Sequence, residues 1–259
     1  MRPLAAKSSI RIALAAFTCV AVVATAHAQI FAGKKEILRQ SRYQWLDMKK
    51  HLPLTPNPRV QKYVECVANR IINVIGDEYA DLSWEVVVFD DDALNAFAMP
   101  GGKIGVYTGI LNVADTPESL AAVLGHEVAH LTSDHVMERA SRQKKTEALV
   151  LLGGAATGLG GMVRDGTTVF LTLPFGREQE SEADGAGLEY MAAAGFDPRA
   201  SLYLWKSMSG AKEGKKTAEF LSTHPSDDRR MTDLVRLMTP ALVKYNDARE
   251  AGIRPNCQL

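Results

Sequence analysis

The segment VQKYVECVANRIINVIG carries apolar residues at helical spacing. Its apolar stripe consists of Val60, Val64, Val67, Ile71 and Val74. Residues that recur every three or four positions share one face of a helix, so the pattern predicts an amphipathic helix. Gly76 follows the stripe and is a natural helix stop. One side of this helix is therefore expected to pack on a core.

Strand-like patterns follow this first helix. The stretch LSWEVVVFDD (82–91) is rich in valine and aromatic residues, which favours a strand. The stretch LNAFAMPGGKIGVYTG (94–109) predicts two short strands around the turn Pro100-Gly101-Gly102. We therefore expect a small sheet between residues 82 and 109.

The rest of the chain is predicted to be mainly helical. Thr116 and Pro117 are a favourable cap and first position for a helix. Pro174 precedes a further helix that Gly195 stops, and Asp197-Pro198 starts another that ends near Met208. The segment 223–238 is predicted to begin as a turn, with Ser226 as cap, and to continue as a helix; 210–216 is predicted to be an exposed loop. The glycine-rich stretch 148–163 favours a closely packed helix over a mobile lid or a membrane dip.

The first 28 residues have the features of a secretory signal peptide. Three basic residues precede an apolar run from Ile12 to Ala26, and Ala26-His27-Ala28 fits a cleavage site before Gln29. The run falls short of the roughly 20 residues of a membrane span and is not amphipathic like a transit peptide. We therefore predict a signal peptide (1–28), one mature domain (29–259) and a periplasmic location, with no further indication of membrane association.

The apolar content, net charge and cysteine count limit the kinds of protein that this chain can be. Apolar residues make up 46% of the 259 residues, enough for a sizeable core. Without residues 1–28 the chain keeps 27 basic and 30 acidic residues, a net charge of −3, which does not favour nucleic acid as a partner. The mature chain also keeps two cysteines, Cys66 and Cys257. Cys66 lies off the apolar stripe of its helix, so we favour a disulfide between them over two free thiols.

The clearest chemical signal is GHEVAHLTSDH (125–135), which contains the pattern H-E-x-x-H. His126 and His130 are four residues apart, so both imidazoles lie on one helix face, about 5.4 Å apart along the axis, and can bind one zinc ion. Glu127 lies about 100° around the helix, which suits a general base acting on water. The residues before the motif are apolar, and burying two histidines and a glutamate there is costly unless something satisfies them. The pattern therefore favours zinc over a chance match.

A catalytic zinc needs a third protein ligand. The longer H-E-x-x-H-x-x-G-x-x-H pattern is absent, and His135 is expected to be structural or exposed rather than a ligand. A glutamate from a later helix is the other common solution. The segment REQESEAD offers Glu178, Glu180 and Glu182, and spacing alone does not choose among them.

Together, HEVAH, REQESEAD (177–184), THPSDDRR (223–230) and NAFAMPGGKIGVYTGIL resemble the zinc metallopeptidases related to HtpX and the CAAX prenyl proteases. The resemblance covers roughly residues 58–238. Apart from the predicted signal the sequence shows no clear transmembrane helices, so it looks more like the soluble periplasmic branch, similar to the peptidase domain of BepA, and we do not expect the helical repeats that follow in that protein. Prenyl-peptide processing is therefore not expected.

The resemblance implies a role for each matching residue. Glu180 would be the third zinc ligand, and Asp184 would support the histidines or the acid–base chemistry. His224 would stabilise the oxyanion, although a plain turn is an equal alternative, and Arg230 would brace the site. The strand Asn95-Ala96-Phe97 would be a sheet edge that binds extended peptide; its alternative is an ordinary core strand with Phe97 buried.

We therefore expect a mainly helical α+β domain of the gluzincin type, with a small sheet beside the zinc helix. Its predicted function is hydrolysis of peptide bonds in unfolded or misassembled envelope proteins, with one Zn²⁺ as cofactor. One alternative is a chaperone-like binding factor with little cleavage, which the intact Glu127 argues against. The other is an exopeptidase, which product lengths would distinguish.

Overall fold

A computed structural model describes residues 33–142, 174–210, 218–224 and 228–259. The predicted signal peptide, the glycine-rich segment 148–163, the loop 211–216 and the cap Ser226 lie outside the described residues. Among the residues that are described, none forms a helix with the length and apolarity needed to cross a bilayer.

The described part of the chain contains eight α-helices, two short 3₁₀-helices and three strands. The helices are α1 (33–51), α2 (Pro58–Ile72), α3 (Pro117–Thr132), α4 (135–142), α5 (Arg177–Ala193), α6 (Ala200–Gly210), α7 (Ala218–Thr223) and α8 (Asp228–Glu250). The strands are β1 (Glu85–Phe89), β2 (Ala96–Met99) and β3 (Lys103–Tyr107). The expected mainly helical α+β fold with a small sheet is confirmed.

The sheet has the strand order β1-β3-β2, with β1 parallel and β2 antiparallel to the central strand β3. Because side chains alternate along a strand, the two faces of the sheet bury different residues. Val88, Ile104 and Val106 join the main core with α2 and α3. Phe97 and Tyr107 join a second cluster with α1 residues such as Trp45. The sheet thus lies between α1 on one face and the helical core on the other.

Helix α3 is the central helix of the domain. Thr116 caps it by accepting a hydrogen bond from the Ser119 backbone N–H, and Pro117 occupies its first turn. Every residue from Ser119 to Leu131 is buried, because α2, α5, α6 and β2 all contact this helix. The H-E-x-x-H segment is therefore held on all sides by packed elements.

Two glycines let the backbones of α3 and α5 touch. A Cβ on Gly187 would lie 2.7 Å from the His126 backbone nitrogen and 2.8 Å from the Gly125 carbonyl carbon. A Cβ on Gly125 would lie 2.8 Å from the Gly187 carbonyl oxygen. These distances are too short for any side chain, so the close approach requires glycine on both helices. The contact is adjacent to His126 and fixes the spacing of α3 and α5 at the functional site.

We expect Gly187→Ala to lower the free energy of unfolding by about 1–3 kcal/mol, because the added methyl group meets backbone atoms that must move apart. Gly185→Ala is the matched control on the same helix, since its Cβ would meet only the flexible Leu237 side chain at 3.3 Å. Alanine has the higher helix propensity, so the control should be neutral or slightly stabilising. Urea denaturation of both variants tests this, and equal midpoints would contradict it.

The structure differs from the sequence prediction at α1 and α8. Helix α1 was not anticipated, although Ile37, Trp45 and Met48 are buried along it. Helix α8 was expected to end near residue 238 but runs to Glu250 with Pro240 inside it. Leu234, Ala241 and Ala248 remain buried at seven-residue spacing, so core packing on both sides of the proline outweighs the lost hydrogen bond.

Candidate metal centre

Helix α3 brings the two motif histidines together, as their spacing predicts. His126 Nε2 lies 3.1 Å from His130 Nε2, and the two rings are nearly perpendicular. Bonds of about 2.0–2.1 Å in a tetrahedron place neighbouring ligand atoms about 3.3 Å apart. The pair therefore has the separation that a single zinc ion requires.

Helix α5 supplies the carboxylate. Glu180 Oε2 lies 3.5 Å from His126 Nε2, and Glu180 Oε1 lies 3.4 Å from His130 Nε2. Glu180 is buried, whereas Glu178 and Glu182 on the same helix are exposed. Tertiary packing of α5 against α3 thus distinguishes among three acids that spacing left equivalent.

His224, which follows α7, also reaches this cluster. Its Nδ1 lies 3.2 Å from His126 Nε2 and 3.1 Å from Glu180 Oε1. Its Nε2 lies 3.3 Å from Glu127 Oε1. His126, His130, Glu180 and His224 form the one group of potential metal ligands found among the described residues, and all are 0–3% exposed. His224 therefore bridges the ligand atoms and Glu127, a position that spacing along the chain could not predict.

Asp184 and Arg230 are charged residues that contact His126 and Glu180. Asp184 Oδ1 lies 3.0 Å from His126 Nδ1, on the side of the ring away from the other ligands. Arg230 donates two hydrogen bonds of 2.7 Å to Asp184, from Nε and Nη2, in the bidentate arrangement typical of strong pairs. Its Nη1 lies 2.6 Å from Glu180 Oε2. One guanidinium thus orients both the candidate ligand Glu180 and the carboxylate behind His126.

Aromatic rings enclose the site, and sequence reasoning missed them. The ring of Phe175 stacks on His130 with centroids 3.7 Å apart, and the Arg139 guanidinium lies 3.9 Å from its other side. Trp205 lies 3.8 Å from the Arg230 guanidinium. Phe175 precedes α5 and Trp205 lies in α6, and in a sequence neither can be told from an ordinary core residue. These two rings exclude water from the charged groups they cover.

The buried charges perturb one another. Burial alone would raise the pKa of Glu180, but hydrogen bonds from His126, His130 and His224 lower it far below its usual range. Burial likewise opposes ionisation of Asp184, but its bonds to Arg230 lower its pKa.

The pKa values of the two motif histidines are shifted in opposite directions. Burial lowers the pKa of His126, but the bonds to Asp184 and Glu180 outweigh it and raise the value to about 9. Burial dominates at His130, whose pKa lies well below the usual value. The site therefore carries ionised carboxylates that attract a cation, and a cation that binds displaces a proton from His126.

The donor set fits one zinc ion. Two imidazole nitrogens and one carboxylate oxygen are the ligands that catalytic zinc takes in many peptidases, with a further position left over. Four converging donors buried without a cation would leave several polar atoms poorly satisfied, which is costly. His126, His130 and Glu180 would hold the ion, with Asp184 orienting His126 from behind.

The strand predicted to bind substrate lies at one edge of the sheet. Asn95 directly precedes β2, which Ala96 begins, and β2 contacts α3. The Phe97 ring is buried among Trp45, Phe89 and Tyr107. The Phe97 side chain therefore packs in the core, as in the alternative of an ordinary core strand. Pairing of this strand with a peptide would use its backbone and stays a prediction.

Comparison with known proteins places this geometry in a family. Residues 58–238 match Peptidase family M48. The chain is 41% identical to the mitochondrial metalloendopeptidase OMA1 of Schizosaccharomyces pombe over 70% of this chain and 54% of that protein. It is 31% identical to the Saccharomyces cerevisiae protein of the same name over 83% of this chain and 64% of that one.

A bacterial relative is the beta-barrel assembly-enhancing protease (BepA) of Escherichia coli, 25% identical over 75% of this chain and 43% of that protein. The chain thus spans about half the length of these relatives. The family match covers well over half of the chain and includes every candidate ligand. This chain belongs to Peptidase family M48.

Proposed function

We propose that the protein is a zinc-dependent endopeptidase. The observation that carries the proposal is the buried convergence of His126, His130 and Glu180. Glu127 lies on α3 with the two histidines. The names of the relatives, metalloendopeptidase and protease, support the same activity. Helices α3 and α5 together bury the two imidazoles and the carboxylates of Glu127 and Glu180, and a bound cation would offset part of the cost of burying them.

Each residue has a defined task in peptide hydrolysis. Zinc, when bound, supplies Lewis-acid chemistry that makes water nucleophilic near neutral pH. Glu127 accepts the proton of the attacking water and passes it to the leaving nitrogen. His224 Nε2, 3.3 Å from Glu127, is positioned to donate a hydrogen bond to the oxygen that develops negative charge. Arg230 and Asp184 keep Glu180 and His126 in position.

The sheet topology supports an extended peptide as substrate. On β1 the outer edge is already paired: Gln61 Nε2 donates to the Val86 carbonyl, and the Val88 N–H donates to Gln61 Oε1. The Thr55 N–H also donates to the Val88 carbonyl. The opposite edge strand is β2, which contacts the motif helix. A peptide that adds to β2 by backbone hydrogen bonds would lie along α3, as internal cleavage requires.

Unfolded or misassembled proteins of the cell envelope are the proposed substrates, and quality control is the proposed role. Backbone pairing at a strand edge recognises extended chains largely independently of sequence. The disulfide between Cys66 and Cys257 supports an oxidising compartment, as do the predicted signal peptide and the bacterial relative. We therefore propose a periplasmic location. The relatives named mitochondrial indicate that the fold also operates in an organelle.

Metal analysis and proteolysis together test the proposal. The purified chain should hold one zinc ion and digest casein into internal fragments, and a chelator should stop digestion until zinc is returned. Glu180→Ala removes a ligand, so zinc content and cleavage should both be lost. Glu178→Ala, an exposed acid on the same helix, is the matched control and should keep both.

The outcomes separate the alternatives. Zinc retention by Glu180→Ala would contradict the ligand assignment. Zinc binding without digestion of any unfolded protein would favour the chaperone-like factor. Products restricted to single residues or dipeptides would indicate an exopeptidase.

A further inference from the structure

The two ligand histidines are supported from behind in different ways. His126 Nδ1 faces the carboxylate of Asp184 directly. His130 Nδ1 instead lies 3.1 Å from Nδ1 of another imidazole, His135. His135 Nε2 in turn lies 3.2 Å from Glu182 Oε2. A continuous chain of polar contacts thus runs from His130 through His135 to a carboxylate.

Zinc binding fixes which nitrogen carries the proton in each histidine of this series of contacts. His130 can bind zinc through Nε2 only if that nitrogen is unprotonated, so its proton is on Nδ1. His130 Nδ1–H must then donate to His135 Nδ1, which can accept only if the His135 proton is on Nε2. His135 Nε2–H then donates to Glu182. Each nitrogen in these two contacts is therefore either a donor or an acceptor, and no contact requires two donors to face each other.

The backbone is shaped to place His135 there. Helix α3 ends at Thr132, and Asp134 adopts a φ of 56°, the one positive φ among the described non-glycine residues. Aspartate tolerates this conformation better than most residues, but it is still sparsely populated. The turn starts α4 at residue 135 in a new direction and buries His135 to 3% exposure. On a continued α3, residue 135 would have pointed about 180° away from His126.

We propose that His135 is a positioning residue for the zinc site, fixing the tautomer and ring orientation of His130 with Glu182 as its anchor. The inference rests on the proposed zinc-binding function and adds a residue that the metal-ligand motif does not contain. The carboxylate acts through an intervening imidazole because Glu182 is on the outer side of α5, with 62% of its side chain exposed. His135 spans the distance between that surface and the buried ligand.

Zinc affinity, measured by competition with a chelator of known strength, tests the assignment. His135→Phe keeps a planar ring but removes the acceptor, so the zinc Kd should rise by about 10–100-fold. His135→Asn places an amide oxygen near the position of Nδ1 and should restore most of the affinity. The visible spectrum of the Co²⁺-loaded chain should change in His135→Phe and resemble wild type in His135→Asn, because it reports ligand geometry.

A substitution of Glu182, the exposed end of this series of polar contacts, tests the inference even if His135→Phe fails to fold. Glu182→Ala removes an exposed carboxylate and should weaken zinc binding by a smaller factor than His135→Phe, whereas Glu178→Ala should not change it. Unchanged Kd values for folded His135→Phe and for Glu182→Ala would overturn the inference while leaving the zinc peptidase intact. Absence of zinc binding in the wild-type chain would instead remove the proposed function itself.

Discussion

Glu127→Gln is expected to leave the chain folded and loaded with zinc while lowering its rate of peptide cleavage by about 10²–10⁴-fold. Glutamine has nearly the same shape as glutamate but cannot accept a proton at this position. Glu127 is buried on α3 within 3.3 Å of His224, and its side chain is not in the group of candidate ligands. Its removal should therefore affect the proton transfer and spare the metal.

Casein digestion, zinc content and thermal unfolding, measured on one preparation, test this prediction. Glu118→Gln, in the first turn of the same helix, is the matched control and should keep full activity. Equal digestion by wild type and Glu127→Gln would show that the assigned general base is wrong. Loss of zinc from Glu127→Gln would show that this carboxylate helps to hold the metal.

The double substitution Cys66→Ala/Cys257→Ala should lower the free energy of unfolding by about 2–5 kcal/mol. The disulfide joins residues 191 positions apart, and on the chain-entropy model a longer loop gives a larger restriction of the unfolded chain. Cys257 is buried, so the bridge holds the C-terminal tail on the main core beside α2. Replacing both cysteines avoids a reactive free thiol.

Urea denaturation with and without reductant tests the effect. Reductant should shift the wild-type midpoint towards that of the double variant and leave the double variant unchanged. A double variant that unfolds at the wild-type midpoint in the absence of reductant would show that packing alone secures the tail.

The sequence predicted those helices and strands that have a capping residue, a turn or a regular spacing of apolar residues. Thr116 and Pro117 correctly predict the start of α3. The turn Pro100-Gly101-Gly102 separates β2 from β3, as predicted. Helix α1 was missed because Ser41 and Gln44 are buried on its packed face, so its apolar stripe is interrupted. Helix α8 was predicted too short because a proline inside a helix, such as Pro240, cannot be told in a sequence from a proline that ends one.

The site was predictable only in part. His126, Glu127 and His130 follow from spacing on one helix, because neighbours on a helix have fixed relative positions. Spacing alone did not choose Glu180 over its two neighbours; the family resemblance implied it, and the packing of α5 against α3 buries it beside the histidines. His135 was expected to be structural or exposed; the break in the helix at Asp134 buries it against His130. Long-range contacts therefore decide what local spacing leaves open.

The contacts of Arg230 bear on the order in which the region folds and binds its ion. The Arg230 guanidinium forms ion pairs with both Glu180 and Asp184 and offsets part of their negative charge. We therefore expect this region to fold before an ion binds, because these ion pairs form without the metal. Under the proposed function, folding and the start of hydrolysis would then be separate events.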